Sequence, residues 1–327
     1  MIGLSTLANT HKDVEQNYMK FFSLVIIFSF SSIVCAQQKQ VCFSIDDLPV
    51  VSYGINDTSF QKDITAKLIA SFTRNHIPTI GFVIVKKLFN DTLRSSFQVS
   101  LIEQWIDCGF DIGNHTYSHP DYNSVSLKEY TDDLLKGEVV IKEILARKGR
   151  HLKYYRHPYL HVGSTKLKAD SLSDFLKQHG STIAPVTIDT DDYLFALAYK
   201  RARVKNDTAL YKRIGQDYLA YMEKKILFYE QQAQVLFGQN IRQILLVHAS
   251  WLNAEYMDSL ALLYISRGYS FISMEKALED SVYQTPVTVY GKWGISWLDR
   301  WALSCGKQSE FFKDDPDPPE YVLELTK

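Results

Sequence analysis

Short apolar runs alternate in order with amphipathic stretches along most of the chain. "QVCFSI" (residues 40–45) reads as a first strand, residues 59–75 as a helix, "PTIGFVIV" (78–85) as a second strand, residues 96–107 as a helix and "FDIGNH" (110–115) as a third strand. A strong helix is expected over 126–148, with Leu134, Leu135, Val139, Ile141 and Leu145 on its apolar side. "LKYYRHPY", "STIAPVTID", "QILLVHA" and "YSFISM" supply the later strands. Strands this apolar, separated by helices, imply βα units around a largely parallel sheet buried on both faces. Each strand ends at a polar or charged cluster, which suits an α/β barrel whose chemistry sits at the strand C-termini.

Two segments look added to that core. Residues 206–237 form a helical insertion, with Ile214, Tyr218, Tyr221, Met222, Ile226 and Tyr229 on one face, expected to pack outside the barrel. The tail after residue 283 carries Trp293, Trp297 and Trp301 at four-residue spacing, expected as a stripe docked on the core rather than a sugar-stacking surface. Its "FFKDDPDPPEYV" holds prolines that stop any continuing helix.

Composition narrows the function classes. The 327 residues are 46% hydrophobic and 22% charged, a globular balance. A net charge of −1 gives no basic footprint for nucleic acid, and no glycine-rich phosphate loop joins a strand to a helix. Residues 19–38, "MKFFSLVIIFSFSSIVCAQQ", have the lysine, the apolar run and the small-residue site of a signal peptide, with cleavage expected before Gln37. The run is short for a membrane anchor and dotted with serines, so no stable span is expected after cleavage. The chain then divides into a leader (1–36, with Met19 as the expected true start), a catalytic domain (37–282) and a C-terminal extension packed on the barrel (283–327). The protein is expected to be exported, to a periplasm or the medium. Cys42, Cys108 and Cys305 then remain, too few and too widely spaced for a disulfide framework or a zinc ribbon.

The chemistry is concentrated at strand ends. Asp46 and Asp47 follow an apolar strand and precede Pro49, which is expected to stop it. Two buried like charges repel unless a cation or a proton takes up the charge, and a metal does so economically. His115 and His119 are four apart, so on a helical turn both imidazoles would face one side. With Asp47 they make two nitrogens and one oxygen, leaving an open position as in catalytic zinc sites. Arg156 precedes Pro158 and Tyr159, Asp189, Asp191, Asp192 and Tyr193 stand together, and Leu246 and His248 close a strand.

This ordered series resembles the polysaccharide deacetylases of carbohydrate esterase family four. The family's T-F-D-D-G is met by Ser44-Ile45-Asp46-Asp47-Leu48 and its H-[ST]-x-x-H by His115-Thr116-Tyr117-Ser118-His119. R-x-P-[FY] is met by Arg156-His157-Pro158-Tyr159, D-x-x-D-W by Asp189-Thr190-Asp191-Asp192-Tyr193, and L-x-H by Leu246-Val247-His248. The resemblance implies a distorted (β/α) barrel and a divalent metal, zinc foremost, on Asp47, His115 and His119. It implies Asp46 as general base oriented by Arg156, His248 as general acid tuned by Asp192, and the Tyr159 N–H as oxyanion donor. Tyr193 and Leu246 would touch the substrate, an acetylated glycan. Leu48-Pro49 in place of the family's glycine, and Tyr193 in place of its tryptophan, put the substrate preference in question. An O-acetyl esterase with the same site, or a carbohydrate-binding protein using the three tryptophans, are the competing expectations. The processing expectation has a direct check: N-terminal sequencing of the exported protein should read from Gln37, and an intact residue 19–36 segment would overturn it.

Overall fold

The structure, a computed structural model, describes residues 38–327. The leader, Met19 and Cys35 lie outside the described residues. In chain order the elements are β1 (Lys39–Val51), α1 (Thr58–Arg74), β2 (Ile80–Val83), α2 (Ser96–Asp107), β3 (Asp111–Asn114) and α3 (Leu127–Ala146). Then follow β4 (Tyr154–Tyr155), α4 (Lys166–Gln178), β5 (Thr182–Ile183), α5 (Asp192–Val204), α6 (Thr208–Phe237) and β6 (Arg242–Ser250). The chain continues through α7 (Trp251–Ser266), β7 (Tyr269–Phe271), α8 (Met274–Leu278), α9 (Trp297–Ser304) and α10 (Glu320–Glu324).

The main sheet runs β5-β4-β3-β2-β1-β6, with β7 beside the start of β1, and its pairings are parallel. Val41, Cys42, Phe43 and Ile45 of β1 are fully buried, as a strand covered on both faces requires. After β5 the chain crosses back to β6, where Thr187 and Ile188 donate to the Ile244 carbonyl and Leu246 donates to that of Ile188. This irregular contact rolls the sheet toward closure, giving the expected distorted (β/α) barrel. The helices begin where side chains cap them: Asp57, Ser95, Thr165, Asp207 and Ser250 each accept from a first-turn N–H, and Ser126 with Glu129 forms a capping box.

The structure corrects several local expectations. Pro49 does not stop β1. The strand continues to Val51 across a break in register, and pairing with β6 resumes at Val51 and Ser250. Val139 points outward at 67% exposure while Val140 is buried, because the apolar stripe of α3 runs through Leu134, Ile141, Ile144 and Leu145. Residues 206–237 hold the expected helix, the single α6, which packs on α5, α7 and α9 with Ile214, Tyr218, Met222 and Ile226 fully buried. The tryptophans form no single stripe. Trp293 lies in irregular chain and is 44% exposed, Trp297 opens α9 half-buried, and Trp301 is buried against Phe237 and Tyr283. Cys42, Cys108 and Cys305 are all unpaired thiols.

One packing contact reaches directly toward the site. Gly137 on α3 lies under the 115–119 segment so closely that a Cβ there would be 2.9 Å from Thr116 C and Tyr117 N. Alanine in a helix interior ordinarily stabilises by roughly 0.8–1 kcal/mol relative to glycine. Gly137→Ala should instead lower the melting temperature, because the neighbour is backbone and cannot step aside; a raised melting temperature would contradict the contact.

Candidate metal and acid–base site

Adjacent residues of a regular strand point to opposite faces. At the break in β1, Asp47 adopts φ 70°, and this turns its side chain toward the same pocket as Asp46. The histidines arrive on a loop, not on the expected helical turn. Asn114 Oδ1 accepts from Thr116 N–H at 2.8 Å, Thr116 Oγ1 from His119 N–H at 2.9 Å, and Asp133 Oδ1 on α3 from both Tyr117 and Ser118 N–H at 2.9 Å. With Thr116 and His119 at positive φ, this knot brings both imidazoles to Asp47 Oδ1: His115 Nε2 at 3.6 Å and His119 Nε2 at 3.7 Å.

One donor atom from each of Asp47, His115 and His119 lies within 4.8 Å of the others. Asp47 Oδ1 is buried without a hydrogen-bond partner, as is Asp46 Oδ1. His115 Nδ1 lies 2.9 Å from the Arg156 carbonyl, a contact that requires the proton on Nδ1 and so leaves the Nε2 lone pair facing Asp47. Burial lowers the pKa of both histidines to about 4, keeping both imidazoles neutral. Orphaned oxygen and free lone pairs together fit a divalent cation.

The two carboxylates are treated differently. Burial raises the Asp46 pKa even though the Arg156 guanidinium, 3.7 Å away and fully buried, opposes that shift. Arg156 is itself held by Ser44 Oγ at 2.8 Å. Burial acts on Asp47 too, but there Lys87 and the facing histidines outweigh it and hold the carboxyl well below the usual range. Lys87 donates to the Asp47 carbonyl at 2.8 Å and lies 3.5 Å from its Oδ2.

His248 stands in register with Asp46 on the neighbouring strand. Its Nδ1 is 2.7 Å from Asp192 Oδ1 and its backbone N–H donates to Asp192 Oδ2 at 2.8 Å. Asn253 donates to the same Asp192 oxygen at 2.7 Å and accepts from Tyr218 of α6 at 2.7 Å. Burial alone would lower the His248 pKa, but Asp192 outweighs it and raises the value to about 9.

A cavity of about 590 Å³ collects Asp46, Asp47, His115, His119 and His248, with Tyr159, Tyr193 and Leu246 also on its wall. Arg156 and Asp192 stand behind it. Tyr159 sits at φ 55°, and among the described residues no protein acceptor takes its N–H. Tyr193 is exposed at the rim, its ring 6.2 Å from that of His248. Lys87, Asn253 and Asp133 escaped the sequence reading, and Tyr218 was read only as part of an apolar helix face; they touch the site through the fold and stand in no motif.

Carboxylates beside two neutral imidazoles, next to a histidine–aspartate pair, make a site that could hold a divalent cation beside a charged histidine. Residues 34–176 match the family model described as polysaccharide deacetylase. The matched segment carries Asp46, Asp47, His115, His119 and Arg156 to Tyr159; Asp192 and His248 lie beyond it. A peptidoglycan-N-acetylglucosamine deacetylase of Bacillus cereus is 29% identical over 94 residues, which are 29% of this chain and 31% of that protein. The match therefore spans less than a third of the curated relative's length. A peptidoglycan deacetylase from Bacillus subtilis superposes with a TM-score of 0.47 at 17% identity, over 74% of this chain and 91% of that one. A family 4 carbohydrate esterase from Streptomyces lividans, in complex with acetate, gives 0.44 at 18% identity, over 74% and 96%.

The raised pKa of His248 links it to stability. Raised above its ordinary 6.5 to about 9, the group adds stability that is fully present below pH 6.5 and is lost as pH rises through 9. Asp192→Asn should pull the His248 titration down, read by NMR on metal-free protein, and the stability gap to wild type should narrow from pH 6.5 to 9. An unmoved titration would remove Asp192 as its cause.

Proposed function

We propose that the protein is a metal-dependent hydrolase that removes acetyl groups, N-acetyl from amino sugars of a polysaccharide or oligosaccharide, with zinc on Asp47, His115 and His119. The observation that carries the reading is the split between neighbouring carboxylates. Asp47 converges with two neutral imidazoles, while Asp46, the more deeply buried, stays outside that set and stands in register with His248. The matched family supports the acetyl chemistry, and the residue 19–36 leader supports export.

A divalent cation held by Asp47, His115 and His119 would supply Lewis acidity that makes water in the pocket more acidic. Asp46 takes the proton as the water oxygen attacks the acetyl carbonyl carbon, and Arg156 keeps that carboxylate turned toward the pocket. The Tyr159 N–H donates to the oxygen on which negative charge develops. His248, protonated and held by Asp192, gives its proton to the leaving nitrogen as the C–N bond breaks, so that acetate and a free amine result. Leu246 and Tyr193 line the space beside the reacting group.

The test is acetate release by leaderless protein, with zinc or chelator, from chitin oligomers, peptidoglycan fragments and acetyl-xylan. Chelator-sensitive release from the N-acetylated members is expected. Asp46→Asn should retain zinc and lose about a hundredfold or more in turnover, whereas His119→Ala should lose both metal and activity. Release from acetyl-xylan alone would make it an O-acetyl esterase. An active Asp46→Asn protein would defeat the assignment of the base.

A further inference from the structure

Tyr159 and Leu160 occupy left-handed backbone in succession, at φ 55° and 53°. A leucine there is unusual, and such a backbone persists only where its surroundings hold it. The surroundings in this chain come from the C-terminal segment. Arg300 on α9, 1% exposed, donates through Nη2 to the Leu160 carbonyl at 2.7 Å and to the Trp293 carbonyl at 3.1 Å. Gly294 also lies against the turn: a Cβ there would lie 2.0 Å from the Tyr159 carbonyl oxygen. Trp297 donates its backbone N–H to Val186 at 2.6 Å, and its ring packs on the cluster of Leu160, Val186 and Leu246.

The segment is anchored away from the turn as well. Ser296 caps α9 through the Asp299 N–H, and Asp299 Oδ1 accepts from Gln232 of α6 at 3.1 Å. Burying a guanidinium against main-chain carbonyls costs desolvation, so the geometry it enforces has to be worth that cost.

We propose that the C-terminal segment clamps the Tyr159–Leu160 turn, with Arg300 and Gly294 as positioning residues that aim the Tyr159 N–H at the reacting carbonyl oxygen. The catalytic consequence rests on the deacetylase reading; the clamp itself does not. Removing a contact that acts only on developing charge lowers kcat and leaves KM nearly unchanged.

The experiment uses zinc-loaded, leaderless wild type, Arg300→Met, Arg300→Lys and Gly294→Ala, with two readouts. Amide hydrogen exchange should accelerate at residues 157–162 and stay unchanged in β1 and β6. On an N-acetylated chitin oligomer kcat should fall about tenfold to a hundredfold with KM within about twofold, and the lysine, which keeps one donor, should recover part of both. Exchange unchanged at 157–162, protection lost throughout the sheet, or a rise in KM with kcat intact would overturn the clamp. Should Arg300→Met fail to fold, Gly294→Ala perturbs the same turn through the Tyr159 carbonyl. A wild type without deacetylase activity would sink the functional reading, and the exchange data alone would then decide the clamp by the same criteria.

Discussion

The molecule is organised around two consecutive carboxylates, Asp46 buried and Asp47 half-buried, that share one pocket. A regular strand would send Asp46 and Asp47 to opposite faces, so placing both in one pocket requires the break in β1 and the positive φ of Asp47. Once they share a pocket, each needs a different partner. Arg156 reaches Asp46 from β4's end of the barrel, and Lys87 reaches Asp47 from the short helical turn after β2. Burial is common to the two groups; the differing cations separate their proton affinities, and that separation is what lets adjacent aspartates take unlike roles.

The other half of the site is built from the additions to the barrel. Asp192 opens α5, where the helix N-terminus favours its charge. Tyr218 of α6 holds Asn253, which holds Asp192, while Tyr221 of the same helix bonds both the Asp191 backbone N–H and its Oδ2. The insertion is therefore continuous with the His248 side of the pocket: its buried face fills the core, Tyr221 fixes Asp191 before α5, and Tyr218 holds Asn253 on α7. A histidine at a strand end is held in place through this chain of bonds.

The fold was largely legible because burial on both faces leaves a strong mark in sequence. Nearly unbroken apolar runs gave β1, β2, β3 and β6, and helical periodicity gave α1, α2 and α3 within a few residues. What escaped notice was set by tertiary context. The crossing of β1 past Pro49 depends on β6 resuming its pairing at Ser250, the loop form of 115–119 depends on Asp133, and the outward turn of Val139 depends on the exact phase of α3. Residue types with a fixed chemistry, the aspartates and histidines, could be named in advance. Lys87 and Asn253 could not, because a lysine in a surface-like run and an asparagine on an apolar helix acquire meaning only from what packs against them.

The tryptophans show the same limit. Four-residue spacing suggested one face, but only Trp297 and Trp301 share a helix, and Trp301 is buried at 1% exposure. A stacking platform needs several aromatic faces open together, and of these three residues only Trp293 is exposed. The tail therefore offers a sugar little surface of its own. Its polar contacts run inward instead, from Arg300 and Gly294 to the turn bearing Tyr159. A segment that holds a buried guanidinium against the backbone of that turn is better explained as a support for the pocket wall than as a separate binding module.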